Sequence, residues 1–227
     1  MKILLPFVFI ISTIHANTIF VPDDYETIQV AIVNANNGDT VMVADGTYSG
    51  AGNKDIDFYG KAILLKSENG RESTTIDCEG AGRGLYIHLS EDSTTIVDGF
   101  TIVNGHVGSE NGGGILIEYS SPTIINSTIE SCYGYNGGGF YVGAEANPVF
   151  INCIISNNGY LNGDRTINGG NGYVFNGSFS MSNSYVQNGT AESMAAGISI
   201  SGADASAIFS NCSFTNNDLY SGANRAG

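Results

Sequence analysis

The chain has 227 residues and a formal net charge of −14, with only 8 Lys and Arg together. That balance argues against nucleic acid, whose binding needs clustered cations to displace counterions, and it disfavours anionic membranes and, unless cations bridge, anionic polysaccharides. A hydrophobic content of 42% against 13% charged residues excludes an acidic disordered chain, while 31 Gly and 24 Asn suit tight turns between many short strands and suit a helical bundle badly.

Lys2, the apolar run from Ile3 to Ile11 and a polar stretch ending at Ala16 read as a signal peptide over 1–16. The run is too short to span a bilayer. No later segment is long and apolar enough for a transmembrane helix. Export is therefore expected, with the mature protein secreted or held at the cell surface (outer membrane or extracellular).

Residues 17–80 read as an N-terminal cap and the first turns of a solenoid. Asp23-Asp24-Tyr25-Glu26 resembles an Asp version of a capping box. Ile28, Ala31, Ile32 and Ala35 then mark one helical face. Gly38-Asp39 ends the helix and Thr40 to Ala44 forms a strand. A short amphipathic helix of this kind suits the open end of a stack of strands, which exposes core and strand edges.

Repeats fill 81–227. Gly112-Gly113-Gly114-Ile115 returns as Gly137-Gly138-Gly139-Phe140 and, more weakly, as Ala195-Ala196-Gly197-Ile198. A second signature starts at Gly99, Asn126, Asn152, Asn183 and Asn211, at spacings of 27, 26, 31 and 28 residues. Three residues after each start stand Ile102, Ile129, Ile155, Val186 and Phe214; two before it stand Val97, Ile124, Phe150, Met181 and Phe209. Both columns are apolar and read as core. Five residues after each start come Asn104, Ser131, Asn157, Asn188 and Asn216, read as a turn ladder in left-handed backbone, with amides bonded along the stack. No unit buries its apolar face alone, so neighbours must stack. The expected fold is all-β, a right-handed parallel β-helix of about six turns, roughly 30 Å long at ~4.8 Å per rung, with a short N-terminal capping helix.

Val21-Pro22-Asp23-Asp24-Tyr25-Glu26-Thr27-Ile28-Gln29, Gly38-Asp39-Thr40-Val41 and Asp45-Gly46-Thr47-Tyr48 together resemble the N-terminal segment of β-helix proteins of the pectin-lyase-like superfamily. The Gly-Gly-Gly-Ile and Phe214-Thr215-Asn216-Asn217 motifs are similar to repeats of the chlamydial polymorphic outer-membrane proteins. The resemblance covers nearly all of 19–227 and implies the fold; this scaffold serves lyases, hydrolases, adhesins and inert surface proteins alike. Asn216-Asn217-Asp218 is followed by Ala226-Gly227 where another glycine-rich opening is expected, so further repeats or domains are expected beyond Gly227, the alternative being that 218–227 fold over the open end.

Cys153 and Cys212 share a column but Ser184 lies between them, which sets them about 9.6 Å apart, beyond disulfide reach. They read as small inward residues. Cys78 and Cys132 sit near turns, with no pairing assigned. Cys-x-x-Cys does not occur, so no zinc site is assigned. Asp204, Asp218 and the Asn-rich turns offer oxygens to Ca2+, a hard cation, but without a dense Asp repeat the turns are read as solvated, no metal site is assigned and no cofactor is expected.

If Leu85, Ile87, Ile115, Ile117, Phe140 and Val142 point inward, alternation turns Tyr86, His88, Leu116, Glu118 and Tyr141 outward. The long turns feeding this strand carry His106, Glu110, Tyr133, Tyr135, Tyr160, Asp164 and Arg165. In the superfamily that the repeats resemble, this outer strand face commonly forms a polysaccharide groove. The tyrosines suit stacking on sugar rings, against the plainer reading that they cover and stiffen exposed sheet. His88 and Glu118 are expected on adjacent rungs, as an acid–base pair or a surface ion pair. A lyase needs acidic calcium ligands and a base near the scissile bond, yet Glu110, Glu118 and Asp164 are dispersed and Arg165 and Arg83 are the only nearby cations. A polygalacturonase-like hydrolase needs a tight set of aspartates; Asn104-Gly105-His106 is a faint echo of such a site. Two classes remain: a non-catalytic surface module for glycan binding or adhesion, and a polysaccharide-degrading enzyme using His88, Glu118 and Arg165. A passive spacer in a longer surface protein is a third.

Overall fold

The computed structural model describes residues 16–220. The expected leader, but for Ala16, and residues 221–227 lie outside them, as does any continuation past Gly227.

Strands of two to five residues wind into a parallel β-solenoid of about seven turns. Three sheets of eight, seven and six strands run its length. The first sheet starts at Thr18–Val21 and Thr40–Val43 and ends at Ser206–Ser210; the second runs from Gly46–Tyr48 to Ser213–Thr215; the third runs from Ile56–Asp57 to Ile198–Ser201. The count of about six turns falls one short. The first two turns, built from Thr40–Val43, Gly46–Tyr48 and Ile56–Asp57 and then Leu64–Ser67, Thr74–Asp77 and Leu85–Ile87, carry neither repeat signature.

Both apolar columns stand in register. Val97, Ile124, Phe150, Met181 and Phe209 oppose one another in the first sheet, and Ile102, Ile129, Ile155, Val186 and Phe214 in the second. All are buried except Phe209 and Phe214, in the last described turn. Phe140, Phe150 and Phe179 meet at the centre with ring centroids 5.1–5.2 Å apart. Gly172 stands directly over Phe140; a Cβ there would collide with the ring.

The expected left-handed column is present, with φ between 52° and 58° at Asn104, Ser131, Asn157, Asn188 and Asn216. The amide ladder runs in the neighbouring column. Asn126 Nδ2 donates to Asp98 (2.7 Å), Asn152 to Asn126 (2.8 Å) and Asn211 to Asn183 (2.7 Å). Of the expected column, Asn104 bonds to the previous rung, through Asp77 at 2.9 Å. Both columns tolerate αL, but the repeat start lies at the sharp bend between the first two sheets, where side chains stack along the axis.

At the N-terminal end the helix spans Ile28–Asn34, with Ile28, Ala31 and Ile32 facing the core. Its cap is Thr27, whose Oγ1 accepts from Val30 N–H, rather than the expected aspartates; Asp24 instead accepts from Phe20 N–H. The Gln29 amide bonds both the N–H and the C=O of Asp57, at 2.8 and 2.9 Å, standing in for a missing strand at the edge of the third sheet. Lys61 Nζ binds the carbonyls of Ile32, Val33 and Ala35 at the helix C-terminus, at 2.7–2.9 Å, where a cation opposes the helix dipole. Among the described residues no helix is long and apolar enough to cross a membrane.

Candidate functional site

The third sheet places Asp57, Tyr86, Leu116, Tyr141, Tyr173 and Ser199 in one outward column. His88 and Glu118 follow Ile87 and Ile117 on neighbouring rungs, as expected. Several side chains of this outer face are packed against one another. Tyr141 and Tyr173 stack at 5.9 Å and 14°, and with Leu116 they form a small outer cluster in which Tyr141 is only 6% exposed. Burial, reinforced by Glu118, pushes the Tyr141 hydroxyl up to about 12. The face of Tyr141 that packs on Tyr173 is not free for a sugar. Tyr141 thus stiffens the sheet, as β-forming aromatics do.

Tyr86 is similarly occupied. His88 stacks on it at 3.8 Å and the Arg83 guanidinium lies 5.0 Å from its centroid. Arg83 in turn pairs with Glu110 and binds the carbonyl of Asn111 at 3.1 Å. The carboxylate partner of His88 is Asp57, at 3.3 Å, rather than Glu118. Glu118 lies instead against Gly143 and the Tyr141 ring. Glu110, Arg83, Tyr86, His88 and Asp57 therefore form one closed line of contacts. Nothing in the sequence marks Asp57, because its two-residue strand lacks both repeat signatures, and Arg83 reads there only as a nearby cation.

The remaining candidates converge on the corner where the chain passes from the second sheet to the third. Isolated bridges hold successive corners together: Gly82 with His106, His106 with Tyr133, and Asn136 with both Asn168 and Met194 through Asn168. The Gly-Gly-Gly runs belong to this corner. A Cβ at Gly113 would collide with the Tyr133 carbonyl, and one at Gly114 with the Gly139 carbonyl. The glycines serve close backbone approach, not ligand phosphate.

A hairpin of Tyr160–Leu161 and Asp164–Arg165 lies over the corner. Asp164 Oδ2 meets His106 Nε2 at 2.9 Å, and the His106 ring packs on Tyr133 at 4.7 Å. Burial, then the nearby Asp164 and Glu192 carboxylates, raises the Tyr133 hydroxyl above its ordinary value. Arg165 sits between Tyr160 and Tyr220, its guanidinium carbon 5.1 and 3.8 Å from their centroids. Tyr135 and Tyr160 are 45% and 50% exposed. His106, Tyr133, Tyr135, Tyr160, Asp164 and Arg165 are thus neighbours, although they come from three loops. Tyr220 and Glu192 join them unannounced, since nothing in a repeat alignment marks a residue between motifs.

All four cysteines are free. Burial raises the thiols of Cys78, Cys132 and Cys153, the latter two to about 12 and about 11, so they stay protonated and unreactive. Ser184 Oγ accepts the Cys153 N–H, in the rung between Cys153 and Cys212.

No protein family, curated protein or solved structure matches the chain.

Proposed function

We propose that this protein is an exported, non-catalytic right-handed β-helix module, of the pectin-lyase-like kind, that binds a glycan or adheres to a glycosylated surface through the hairpin-covered corner. The observation that carries the reading is the convergence of Tyr133, Tyr135, Tyr160, His106 and Asp164 on successive turns of that corner. The exposed ring of Tyr135, and the face of Tyr160 that Arg165 leaves open, offer apolar surface with a hydroxyl tip, suited to sugar rings. The Asp164 carboxylate accepts hydroxyl hydrogen bonds, and the acidic chain favours a neutral glycan over an anionic one.

Retention of the purified protein on a panel of neutral and acidic polysaccharides, with and without calcium, tests this. Tyr135→Ala and Tyr160→Ala are each expected to weaken retention by about tenfold, the equivalent of ~1.4 kcal/mol. Tyr185→Ala, on the outer face of the second sheet, is expected to leave it unchanged. The His106–Asp164 pair favours a second reading, a polysaccharide-degrading enzyme. New reducing ends or unsaturated products that vanish in His106→Ala would establish that reading instead. Neither retention nor cleavage would leave a spacer.

A further inference from the structure

Asparagine precedes glycine at eleven positions of the chain. At such a step the glycine amide nitrogen reaches the asparagine Cγ without a Cβ in its way. The fold decides which step is free to react. Among the described residues nine of the eleven glycine N–H groups are held, six by backbone carbonyls and three by the side chains of Ser67, Cys132 and Asn217. Gly163 and Gly177 are left. Gly177 is buried, and a Cβ there would collide with the Gly143 carbonyl. Gly163 is exposed, with no atom within 4 Å of the place a Cβ would take. With the exposed Asn162 it forms the turn between Tyr160–Leu161 and Asp164–Arg165, Asn162 at φ 53° and Gly163 at φ 98°. The hairpin is a sheet of its own, and none of its four paired residues is buried. Its base is anchored by Asp164 on His106 and by Thr166 N–H on the Gly159 carbonyl at 2.8 Å. Among the described residues no hydrogen bond ties its tip to the solenoid, so the tip opens without unfolding of the three long sheets.

We propose that Asn162 is a site of spontaneous deamidation and that the reaction unlocks the hairpin. With the tip open, rotation about the Asn162 Cα–C bond brings the Gly163 nitrogen onto Cγ. That nitrogen bonds to Cγ, the Cγ–Nδ2 bond breaks, and Nδ2 leaves as ammonia with the proton that the Gly163 nitrogen gives up. Water then adds across either carbonyl–nitrogen bond of the cyclic imide, at the side-chain carbonyl to leave aspartate or at the main-chain carbonyl to leave isoaspartate. Both products carry a carboxylate two residues from Asp164, where like charges repel. Isoaspartate also lengthens the main chain by a methylene, inside a turn that needs left-handed angles at both residues. The Leu161–Asp164 pair then parts, and Asp164 is drawn off His106. On the glycan reading above, the change also weakens retention, because Tyr160 and Asp164 ride on the hairpin.

Peptide mapping of the purified protein through storage at mildly alkaline pH tests this, with the His106 ring signals followed by NMR on the same samples. The expected result is conversion at position 162 about tenfold or more ahead of the other ten steps, whose opening breaks the solenoid. Aspartate and isoaspartate both appear, and the His106 signals shift in proportion to the isoaspartate fraction. In denaturant all eleven steps lose their protection and are expected to convert together. Asn162→Gly keeps a left-handed turn without strain and is expected to hold its charge and its His106 signals through storage. An intact position 162 in the folded protein overturns the proposal, as does equal or earlier conversion at any other step. Acidic forms that accumulate as fast in Asn162→Gly overturn it too, as do His106 signals that stay put while isoaspartate accumulates. Retention on the polysaccharide panel is read separately: conversion at position 162 with unchanged retention upholds the site and counts against the glycan reading alone.

Discussion

Asn171 shows how a single residue joins turns that sequence distance separates. Its Oδ1 accepts from Asn158 Nδ2 at 2.9 Å, and its Nδ2 donates to Asn217 Oδ1 at 2.8 Å. Asn158 in turn accepts the Cys132 N–H, and Asn217 the Gly189 N–H. The line crosses the corner from Cys132 to Asn217 and is buried at Asn158 and Asn171. It exists because Gly189 leaves room: a Cβ there would strike the Asn171 amide and the Ala196 carbonyl. Among the described residues no buried side-chain nitrogen or oxygen lacks a partner, so this network is complete. Asn171→Leu strands polar groups on both neighbours and is expected to cost about 1–3 kcal/mol for each one left unpaired. Denaturant unfolding reads the loss directly. If Asn171→Leu unfolds at the wild-type midpoint, the line carries no stability. The sequence shows Asn171 as one of many asparagines before glycine; its inward aim depends on a glycine 18 residues later, which no local pattern reveals.

The element that departs most from the repeat is the N-terminal cap, and Asp39 ties it together. Its carboxylate accepts the N–H groups of Asn17 and Asn36, at 2.8 and 2.7 Å, joining the first strand to the exit of the helix. Those bonds, Asn17 first, hold the Asp39 carboxyl below its ordinary value although burial opposes them. A depressed folded value means that the stabilisation is fully present above the ordinary carboxylate range and fades as pH falls through the folded value. Asp39→Asn is therefore expected to lower stability at pH 7, by about 1–3 kcal/mol. The gap should narrow as pH falls through the folded value, where the wild-type carboxyl takes up its proton. Thermal unfolding of the pair from pH 7 downward checks it; a gap that keeps its width throughout assigns the effect to geometry alone. The helix was legible from Ile28, Ala31, Ile32 and Ala35, because a 3.6-residue period survives in a short segment. Its cap was not: Asp23 and Asp24 offer the right oxygens, but Thr27 has the extended backbone that an N-cap requires. The outer face of the third sheet was half legible in the same sense. Alternation gave the direction of Tyr86, His88, Glu118 and Tyr141, but not which face of each ring a neighbour occupies. That depends on rotamers chosen between turns.

Strands pair only with the turns above and below, while loops reach further, as where Arg71 binds the Asn152 carbonyl and His106 meets Asp164; stability therefore accumulates largely turn by turn and differs along the axis. The repeat columns made this architecture legible, since a residue's depth in the core follows from its place in the motif. Its place along the stack does not. Phe150 and Phe214 occupy equivalent apolar columns, yet one lies fully buried beside Phe140 and Phe179 and the other is 44% exposed in the last described turn. Phe150→Ala opens a cavity that the surrounding turns cannot close, at about 3–5 kcal/mol. Phe214→Ala removes a ring already in contact with water and is expected to cost well under half of that. Hydrogen exchange should show the same gradient, with amides of Val149–Ile151 opening only with global unfolding and those of Ser213–Thr215 opening locally. Equal losses in the two variants would mean that the last described turn is as well covered as the middle of the stack.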